Sequence, residues 1–237
     1  AMIGAAKGYP VTLVMPANVS AERKAIVHAY GATLIESDPL EGSDGAIRLV
    51  RQIVADDPQR YYYPDQYSNP ANWIAHYETT GPEIWADAPE ITHFVAGLGT
   101  SGTLLGVGTY LKERNPDVSI LAVEPPSGEL VEGLRSLEDG YIPPVFEKWG
   151  GYELLDGKSI VRPRESLEYT RKLAGIGIFA GISSGAALAG ACKVAGRIES
   201  GTIVFIVCDY GWKYLSTGAW TVDLDEAAAN AEKIIYF

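Results

Sequence analysis

Apolar residues follow two different spacings along the chain, and together they predict alternating strands and helices. Short continuous apolar runs bounded by glycine or proline are typical of buried strands, and apolar residues three or four positions apart are typical of helices. The predicted strands are Val11–Met15, Thr33–Glu36, Ile91–Ala96, Ser119–Val123, Ser159–Val161 and Ile203–Val207. The predicted helices are Ser20–Tyr30, Ala46–Ala55, Asn69–Trp85, Thr103–Arg114, Glu165–Leu173 and Ser184–Val194. This alternation predicts an α/β protein with mainly parallel sheets and flanking helices.

Two features predict the domain organisation. The aromatic run Tyr61–Tyr63 ends at Pro64, and we place a boundary there between a first domain of residues 1–63 and a second of residues 64–237. The chain opens with a helix fragment, AMIGAAK, that has no cap and no preceding strand, so we expect the first domain to be incomplete. The Gly- and Pro-rich stretch Glu124–Asp156 is predicted to be a functional loop region.

Composition and charge exclude several classes of partner. The chain has 237 residues, 47% of them hydrophobic, with a formal net charge of -11 and a pI of about 4.7. This acidic balance opposes binding to nucleic acid or to an anionic membrane, and it favours small-molecule chemistry. The uncharged stretch Ala174–Cys192 is too weakly apolar for a convincing membrane span. Cys192 and Cys208 lie far apart in apolar surroundings, so we expect buried thiols without a disulfide, in a reducing cytoplasm.

The segment VAGLGTSGTLLGVG, from Val95 onward, predicts an anion site. It joins a predicted strand to a predicted helix through a glycine-rich turn. The start of a helix presents unpaired backbone N–H groups and the positive end of the helix dipole, so an anion is the natural occupant.

Three interpretations of this turn stay open on the residues alone. Gly97, Gly99 and Gly102 fit the G-x-G-x-x-G fingerprint of dinucleotide binding, with Glu124 at the end of the next predicted strand as the ribose carboxylate. Hydroxyls at Thr100, Ser101 and Thr103 instead favour a cup for a phosphate monoester, since a dianion can accept from several side chains at once. The third interpretation is a tight turn without a ligand.

A second glycine-containing motif, Gly181–Gly185 or GISSG, matches the nucleophile elbow of esterases. That chemistry requires a histidine further along the chain, but His28, His76 and His93 all lie upstream. The esterase interpretation therefore fails. No histidine has metal-ligand spacing, so we expect no metal site and interpret each histidine as a surface or packing residue. Ser183 is then a helix cap or a hydroxyl available to a ligand.

Several motifs, taken in order, resemble those of one enzyme family. They are Gln66–Asn72 (QYSNPAN), Gly99–Thr103 (GTSGT), Val123–Pro125 (VEP) and Gly181–Gly185 (GISSG). This series resembles the cysteine synthase family, pyridoxal-phosphate enzymes of fold type II, over nearly the whole chain. Residues 133–143 (GLRSLEDGYIP) and 211–219 (GWKYLSTGA) are similar to the actinobacterial cysteine synthase M type, the O-phosphoserine sulfhydrylases.

The resemblance implies a cofactor, a reaction and a set of site residues. The cofactor is pyridoxal 5'-phosphate, and the reaction is β-replacement on O-phosphoserine or O-acetylserine to give L-cysteine. By the same resemblance, the phosphate of the cofactor is held by Gly99, Thr100, Ser101, Gly102 and Thr103. The pyridine nitrogen of the cofactor is held by Ser183. Gln66 holds the substrate carboxylate, and Arg135 binds the phosphate leaving group. The resemblance also implies a cytoplasmic homodimer and, as sulfur donor, a thiocarboxylated sulfur-carrier protein.

The resemblance also places one catalytic group outside this sequence. The family's Schiff-base lysine lies upstream of Ala1, and Lys7 matches an ordinary lysine at a helix end. We therefore expect no catalytic residue within this chain and no activity from it alone. The apolar C-terminal end, Ile234–Phe237, is predicted either to close over the site or to pack elsewhere. A nicotinamide-dependent oxidoreductase and a non-catalytic protein that binds a phosphate ligand remain the alternatives.

Overall fold

A computed structural model describes the backbone of residues 1–233 and the side chains of residues 1–230, so the expectation about Ile234–Phe237 lies outside the described residues. The α-helices are α1 (Met2–Lys7), α2 (Ala21–Ala29), α3 (Gly42–Asp56), α4 (Ala71–Glu78), α5 (Thr80–Asp87), α6 (Gly102–Arg114), α7 (Pro144–Lys148), α8 (Gly151–Leu154), α9 (Pro163–Gly175), α10 (Ile182–Ala195) and α11 (Leu224–Lys233). The strands are β1 (Thr12–Pro16), β2 (Thr33–Ser37), β3 (Ile91–Gly97), β4 (Ser119–Glu124), β5 (Gly157–Ile160) and β6 (Thr202–Phe205). Short 3₁₀ helices occupy Pro39–Glu41 and Gly211–Thr217.

The chain divides into two compact units. The first contains Ala1–Tyr63 together with the chain from Tyr210 on, and the second contains Pro64–Asp209. The boundary at Pro64 coincides with the end of the aromatic run. The predicted second domain also includes residues from 210 on, which the structure places with the first unit. In the first unit β1 and β2 form a two-stranded parallel sheet.

The second unit is built on a four-stranded sheet in the order β5-β4-β3-β6, and the described pairings are all parallel. Side chains along β3 alternate between the two faces. Phe94 and Ala96 belong to the apolar cluster that contains Leu104 of α6. Val95 belongs to the cluster that contains Ala186 of α10. Helices therefore cover both faces, which confirms the predicted α/β class with parallel sheets and flanking helices.

One predicted helix is divided in the structure. The predicted helix Asn69–Trp85 forms α4 and α5, which meet at Thr79 with φ -124° and ψ -71°. The Thr79 hydroxyl donates to the Ala75 carbonyl at 2.6 Å, and Pro82 has no N–H to donate to Glu78. A proline in the third position of a helix costs nothing, but it interrupts a continuous one. The predicted loop region 124–156 likewise contains the short helices α7 and α8.

The two cysteines also differ from expectation. Neither forms a disulfide, but both Cys192 and Cys208 are exposed, so the prediction of burial was wrong. Cys192 lies near the end of α10, whose buried side carries Ala191 and Val194. An apolar sequence neighbourhood therefore does not fix which side of a helix a residue occupies. Within residues 1–233, no helix combines the length and apolar content that crossing a bilayer requires.

Candidate functional site

The predicted anion turn lies at the carboxyl edge of the four-stranded sheet, where β3 ends and α6 begins. Its position is fixed from two sides. The Leu98 N–H donates to the Val123 carbonyl at 2.8 Å, at the end of the neighbouring strand. The Arg135 N–H donates to the Leu98 carbonyl at 2.7 Å, which attaches the segment around Arg135 to the turn. Ligands of open α/β sheets bind at this edge.

The backbone of the turn presents a row of N–H groups. Among the described residues, none accepts a hydrogen bond from the N–H groups of Gly99 to Leu104. The first turn of α6 closes only with the bond from the Leu105 N–H to the Ser101 carbonyl, at 3.0 Å. Ser101 has φ +71°, a left-handed conformation that side-chain-bearing residues adopt at a cost and mainly at functional positions. The row suits an anion with several oxygen atoms, such as a phosphate monoester.

The hydroxyls of the turn have partners on α4. Asn72 Nδ2 donates to Thr100 Oγ1 at 2.9 Å, and His76 Nε2 lies 3.3 Å from Thr103 Oγ1. The Ser101 hydroxyl donates to the Thr100 carbonyl, so Ser101 offers a ligand its backbone N–H rather than its side chain. Thr100 and Thr103 are therefore the two hydroxyls available to a bound phosphate.

Glycines make this close approach of α4 possible. A Cβ atom at Gly102 would lie 2.0 Å from Asn72 Oδ1, and one at Gly106 would lie 2.3 Å from the Trp73 carbonyl oxygen. Gly99 has a different neighbour, the Gly133 carbonyl oxygen, 2.7 Å from its would-be Cβ. A side chain at any of these positions would force the turn away from its neighbours.

His76 is held on both sides of its ring. Nδ1 lies 3.0 Å from Thr80 Oγ1, at the start of α5, while Nε2 faces Thr103. Burial of the imidazole lowers the pKa of His76 below its ordinary value of 6.5. The ring is therefore neutral at neutral pH, with one nitrogen donating and the other accepting. Sequence interpretation had treated His76 only as a surface or packing residue.

The start of α10 has fewer unpaired N–H groups than the start of α6, those of Ile182 and Ser183 among the described residues, together with the Ser183 hydroxyl. The Gly181 N–H donates to the Asp209 carbonyl at 2.9 Å, and the Ser184 hydroxyl accepts from the Cys208 N–H at 2.9 Å. These bonds hold the start of α10 against the segment that follows β6. Ser183 is 7% exposed, and within the described part of the chain its hydroxyl has no hydrogen-bond partner. A ring nitrogen of a ligand could use this hydroxyl.

Arg135 and Gln66, the two predicted substrate residues, lie beside the turn. The Arg135 guanidinium carbon lies 4.6 Å from the centroid of the Tyr141 ring and 5.7 Å from that of Tyr67. The Gln66 carbonyl accepts from Asn72 Nδ2 at 2.6 Å, and the Gln66 side chain is exposed. Sequence interpretation assigned no role to the two tyrosines or to Asn72, although Asn72 stands within the QYSNPAN motif. Only the fold shows that the two tyrosine rings lie beside Arg135 and that Asn72 contacts the turn.

Glu124 does not fit the dinucleotide interpretation. Its carboxylate is fully buried, lies 2.6 Å from Lys158 Nζ and accepts from the Leu137 N–H at 3.1 Å. A ribose-binding carboxylate must face the ligand, whereas this one joins β4 to β5 and to the segment after Arg135. The acidic residue at the predicted position is therefore not available to the ribose of a nicotinamide dinucleotide.

Comparison with known proteins identifies one family. The family of pyridoxal-phosphate dependent enzymes matches residues 1–209. A cysteine synthase of Aquifex aeolicus is 46% identical over 228 residues, which cover 93% of this chain and 68% of that protein. Cysteine synthase B of Escherichia coli is 41% identical over 222 residues, covering 93% and 71%. The structure of O-acetyl serine sulfhydrylase isoform 3 from Entamoeba histolytica superposes with a TM-score of 0.81 at 32% identity, covering 99% of this chain and 72% of that one.

Proposed function

Because the chain belongs to the cysteine synthase family of pyridoxal-phosphate dependent enzymes, we propose that, together with the upstream lysine that the resemblance implies, it makes L-cysteine by β-replacement on O-phosphoserine. One observation carries the proposal. The row of N–H groups from Gly99 to Leu104, with the Thr100 and Thr103 hydroxyls, forms a cradle for a dianionic phosphate, and the Ser183 hydroxyl is available at the same carboxyl edge of the sheet, beside the segment that follows β6. The two features match the two ends of one cofactor.

In this proposal the turn binds the cofactor phosphate. Backbone N–H groups donate without any change of protonation, and the start of α6 adds the positive end of its dipole. Thr100 and Thr103 add hydrogen bonds to a charged group, each worth about 1.5–3 kcal/mol. The cradle requires no lysine or arginine for the phosphate.

Ser183 would hold the pyridine nitrogen through a neutral hydrogen bond. A carboxylate in its place would keep that nitrogen protonated, whereas a hydroxyl does not. When bound, pyridoxal phosphate supplies a sink for the electrons released at the substrate α-carbon. The neutral partner makes that sink milder, which suits loss of a group from the β-carbon.

Gln66 and Arg135 would bind different groups of the substrate. The Gln66 amide is a neutral donor, appropriate for the substrate carboxylate. Arg135 offers a planar pair of donors that fits the phosphate leaving group, which carries nearly two negative charges. The rings of Tyr67 and Tyr141 limit the movement of the guanidinium, and the Arg135 N–H attaches its backbone to Leu98 beside the cradle. An acetyl leaving group would not require this arginine.

We assign no lysine of this chain to the Schiff base with the cofactor. Among the residues whose side chains the structure describes, five lysines form ion pairs with carboxylates: Lys24, Lys112, Lys158, Lys172 and Lys193. A carboxylate partner favours the protonated amine, whereas condensation with an aldehyde requires the neutral one. The resemblance implies a lysine upstream of Ala1, and it is also the support for a cytoplasmic homodimer and a sulfur-carrier protein as donor.

Arg135→Ala tests the choice of substrate, in the chain extended upstream by the lysine-bearing segment that the resemblance implies. We expect kcat/KM for O-phosphoserine to fall about 10- to 100-fold, equivalent to about 1.5–3 kcal/mol for one charged hydrogen bond. Activity with O-acetylserine should stay nearly unchanged. Arg162→Ala is the matched control, because Arg162 is a surface arginine, 70% exposed, in an ion pair with Glu129. Equal losses on both substrates would mean that Arg135 supports the loop and does not bind the phosphate.

A further inference from the structure

Each of the two threonine hydroxyls of the cradle is contacted by a side chain of α4. Asn72 and His76 lie one helical turn apart on the same side of α4, facing Thr100 and Thr103 respectively. We propose that Asn72 and His76 are positioning residues that direct both hydroxyl protons toward the bound phosphate. This inference rests on the proposed function, since it needs the phosphate of the cofactor in the cradle.

A threonine hydroxyl has a single proton to donate. A threonine that donates to its protein neighbour turns a lone pair toward the ligand, which repels a phosphate oxygen. A threonine that accepts from its neighbour keeps its proton for the ligand. Asn72 imposes the second arrangement, because its Nδ2 group has only protons to offer: one to Thr100 Oγ1 at 2.9 Å and one to the Gln66 carbonyl at 2.6 Å.

His76 can impose the same arrangement on Thr103, but only in one tautomer. If the Thr80 hydroxyl donates to Nδ1, the proton of the neutral ring is on Nε2 and points at Thr103 Oγ1. The opposite tautomer would take the Thr103 proton and leave the phosphate facing a lone pair. Burial lowers the pKa of His76, so the choice lies between two neutral forms at neutral pH.

The packing of α4 keeps these donors in place. Gly102 and Gly106 let α6 approach so closely that added Cβ atoms would lie 2.0 Å from Asn72 Oδ1 and 2.6 Å from His76 Cβ. These contacts fix the α4 backbone next to α6, and with it the points from which the Asn72 and His76 side chains reach the cradle. Asn72 and His76 therefore orient the hydroxyls before a ligand arrives.

The tautomer of His76 can be measured in the wild-type chain. Pyridoxine 5′-phosphate is the probe, because it has the phosphate but no aldehyde to react with lysines. With the probe bound, long-range ¹H–¹⁵N correlation spectra of the labelled imidazole should show the proton on Nε2 at neutral pH. A proton on Nδ1 would overturn the inference while leaving phosphate binding intact. Absence of any binding by the wild type would overturn the proposed cofactor site and this inference together.

Two substitutions test the donor itself. His76→Gln places an amide N–H near the Nε2 position, and His76→Leu places none. We expect His76→Leu to bind pyridoxine 5′-phosphate about tenfold more weakly than wild type in calorimetric titration, and His76→Gln to stay within about threefold of wild type. Pyridoxine, which lacks the phosphate, should bind all three chains alike. Equal weakening of both ligands, or no weakening by His76→Leu, would show that His76 serves packing alone.

Discussion

Two helices of the second unit begin with a glycine-rich turn, and the two starts differ in how their polar groups are used. At α6 the N–H groups from Gly99 to Leu104 have no acceptor among the described residues. At α10 the Ser184 and Gly185 N–H groups both bond to the Gly181 carbonyl, and the Ser184 hydroxyl accepts from Cys208. Within the described part of the chain, the Ile182 and Ser183 N–H groups and the Ser183 hydroxyl are left without a hydrogen bond there. One start suits a multiply charged anion, and the other suits a single neutral hydrogen bond.

The difference shows that a short glycine motif does not determine a ligand. Both turns have glycines and hydroxyls at a helix start, and both patterns match known fingerprints. What separates them is the neighbouring structure. At α6, Ser101 has a left-handed backbone conformation and the N–H groups before Leu105 make no hydrogen bond within the helix. At α10, the segment after β6 donates a hydrogen bond to the Ser184 hydroxyl. The number of unpaired donors at each helix start therefore indicates how much negative charge a ligand can place there.

The largest expected effect comes from removing both cradle hydroxyls. Thr100→Ala combined with Thr103→Ala should weaken binding of pyridoxine 5′-phosphate by about 100-fold or more, because two charge-assisted hydrogen bonds together contribute about 3 kcal/mol or more. Binding of pyridoxine should change little. Calorimetric titration with each ligand measures the ratio of the affinity for pyridoxine 5′-phosphate to that for pyridoxine.

Two further variants control that experiment. Replacing both threonines with serine keeps the hydroxyls and should keep most of the affinity. Thr109→Ala removes a threonine further along α6, away from the turn, and should leave both ligands unaffected. An unchanged affinity in the double alanine variant would remove the cradle from the site.

A smaller and different effect is expected at α10. Ser183→Ala removes one neutral hydrogen bond, so binding of the phosphate ester and of pyridoxine should both weaken about 3- to 10-fold, by the same factor. Ser184→Ala is the matched control, because its hydroxyl bonds to the protein backbone. It should lower the midpoint of thermal unfolding and leave the ratio of the two affinities unchanged. If Ser183→Ala weakened binding of the phosphate ester alone, the start of α10 would not bind the ring nitrogen as proposed.

The sequence was sufficient for the features that depend on neighbouring residues. The strand, the glycine turn and the helix from β3 to α6 could be predicted, since apolar period and turn residues are local signals. The contact of α4 with the turn could not be predicted, because it joins Asn72 to Thr100 and His76 to Thr103 across long separations in sequence. The spacing of Asn72 and His76, one helical turn apart within a predicted helix, is the local signal that places them on one side of that helix. Pro82, inside the predicted helix Asn69–Trp85, is the local signal for the break at Thr79.

Amide spectra of the ¹⁵N-labelled chain show whether the N–H groups from Gly99 to Leu104 hold the cofactor phosphate. On titration with pyridoxine 5′-phosphate, the amide signals of these residues should move more than any others, while pyridoxine should leave them nearly unmoved. The Ser183 amide should respond to both ligands. If saturating pyridoxine 5′-phosphate moved signals elsewhere and left those of Gly99–Leu104 in place, the cradle would not be the phosphate site.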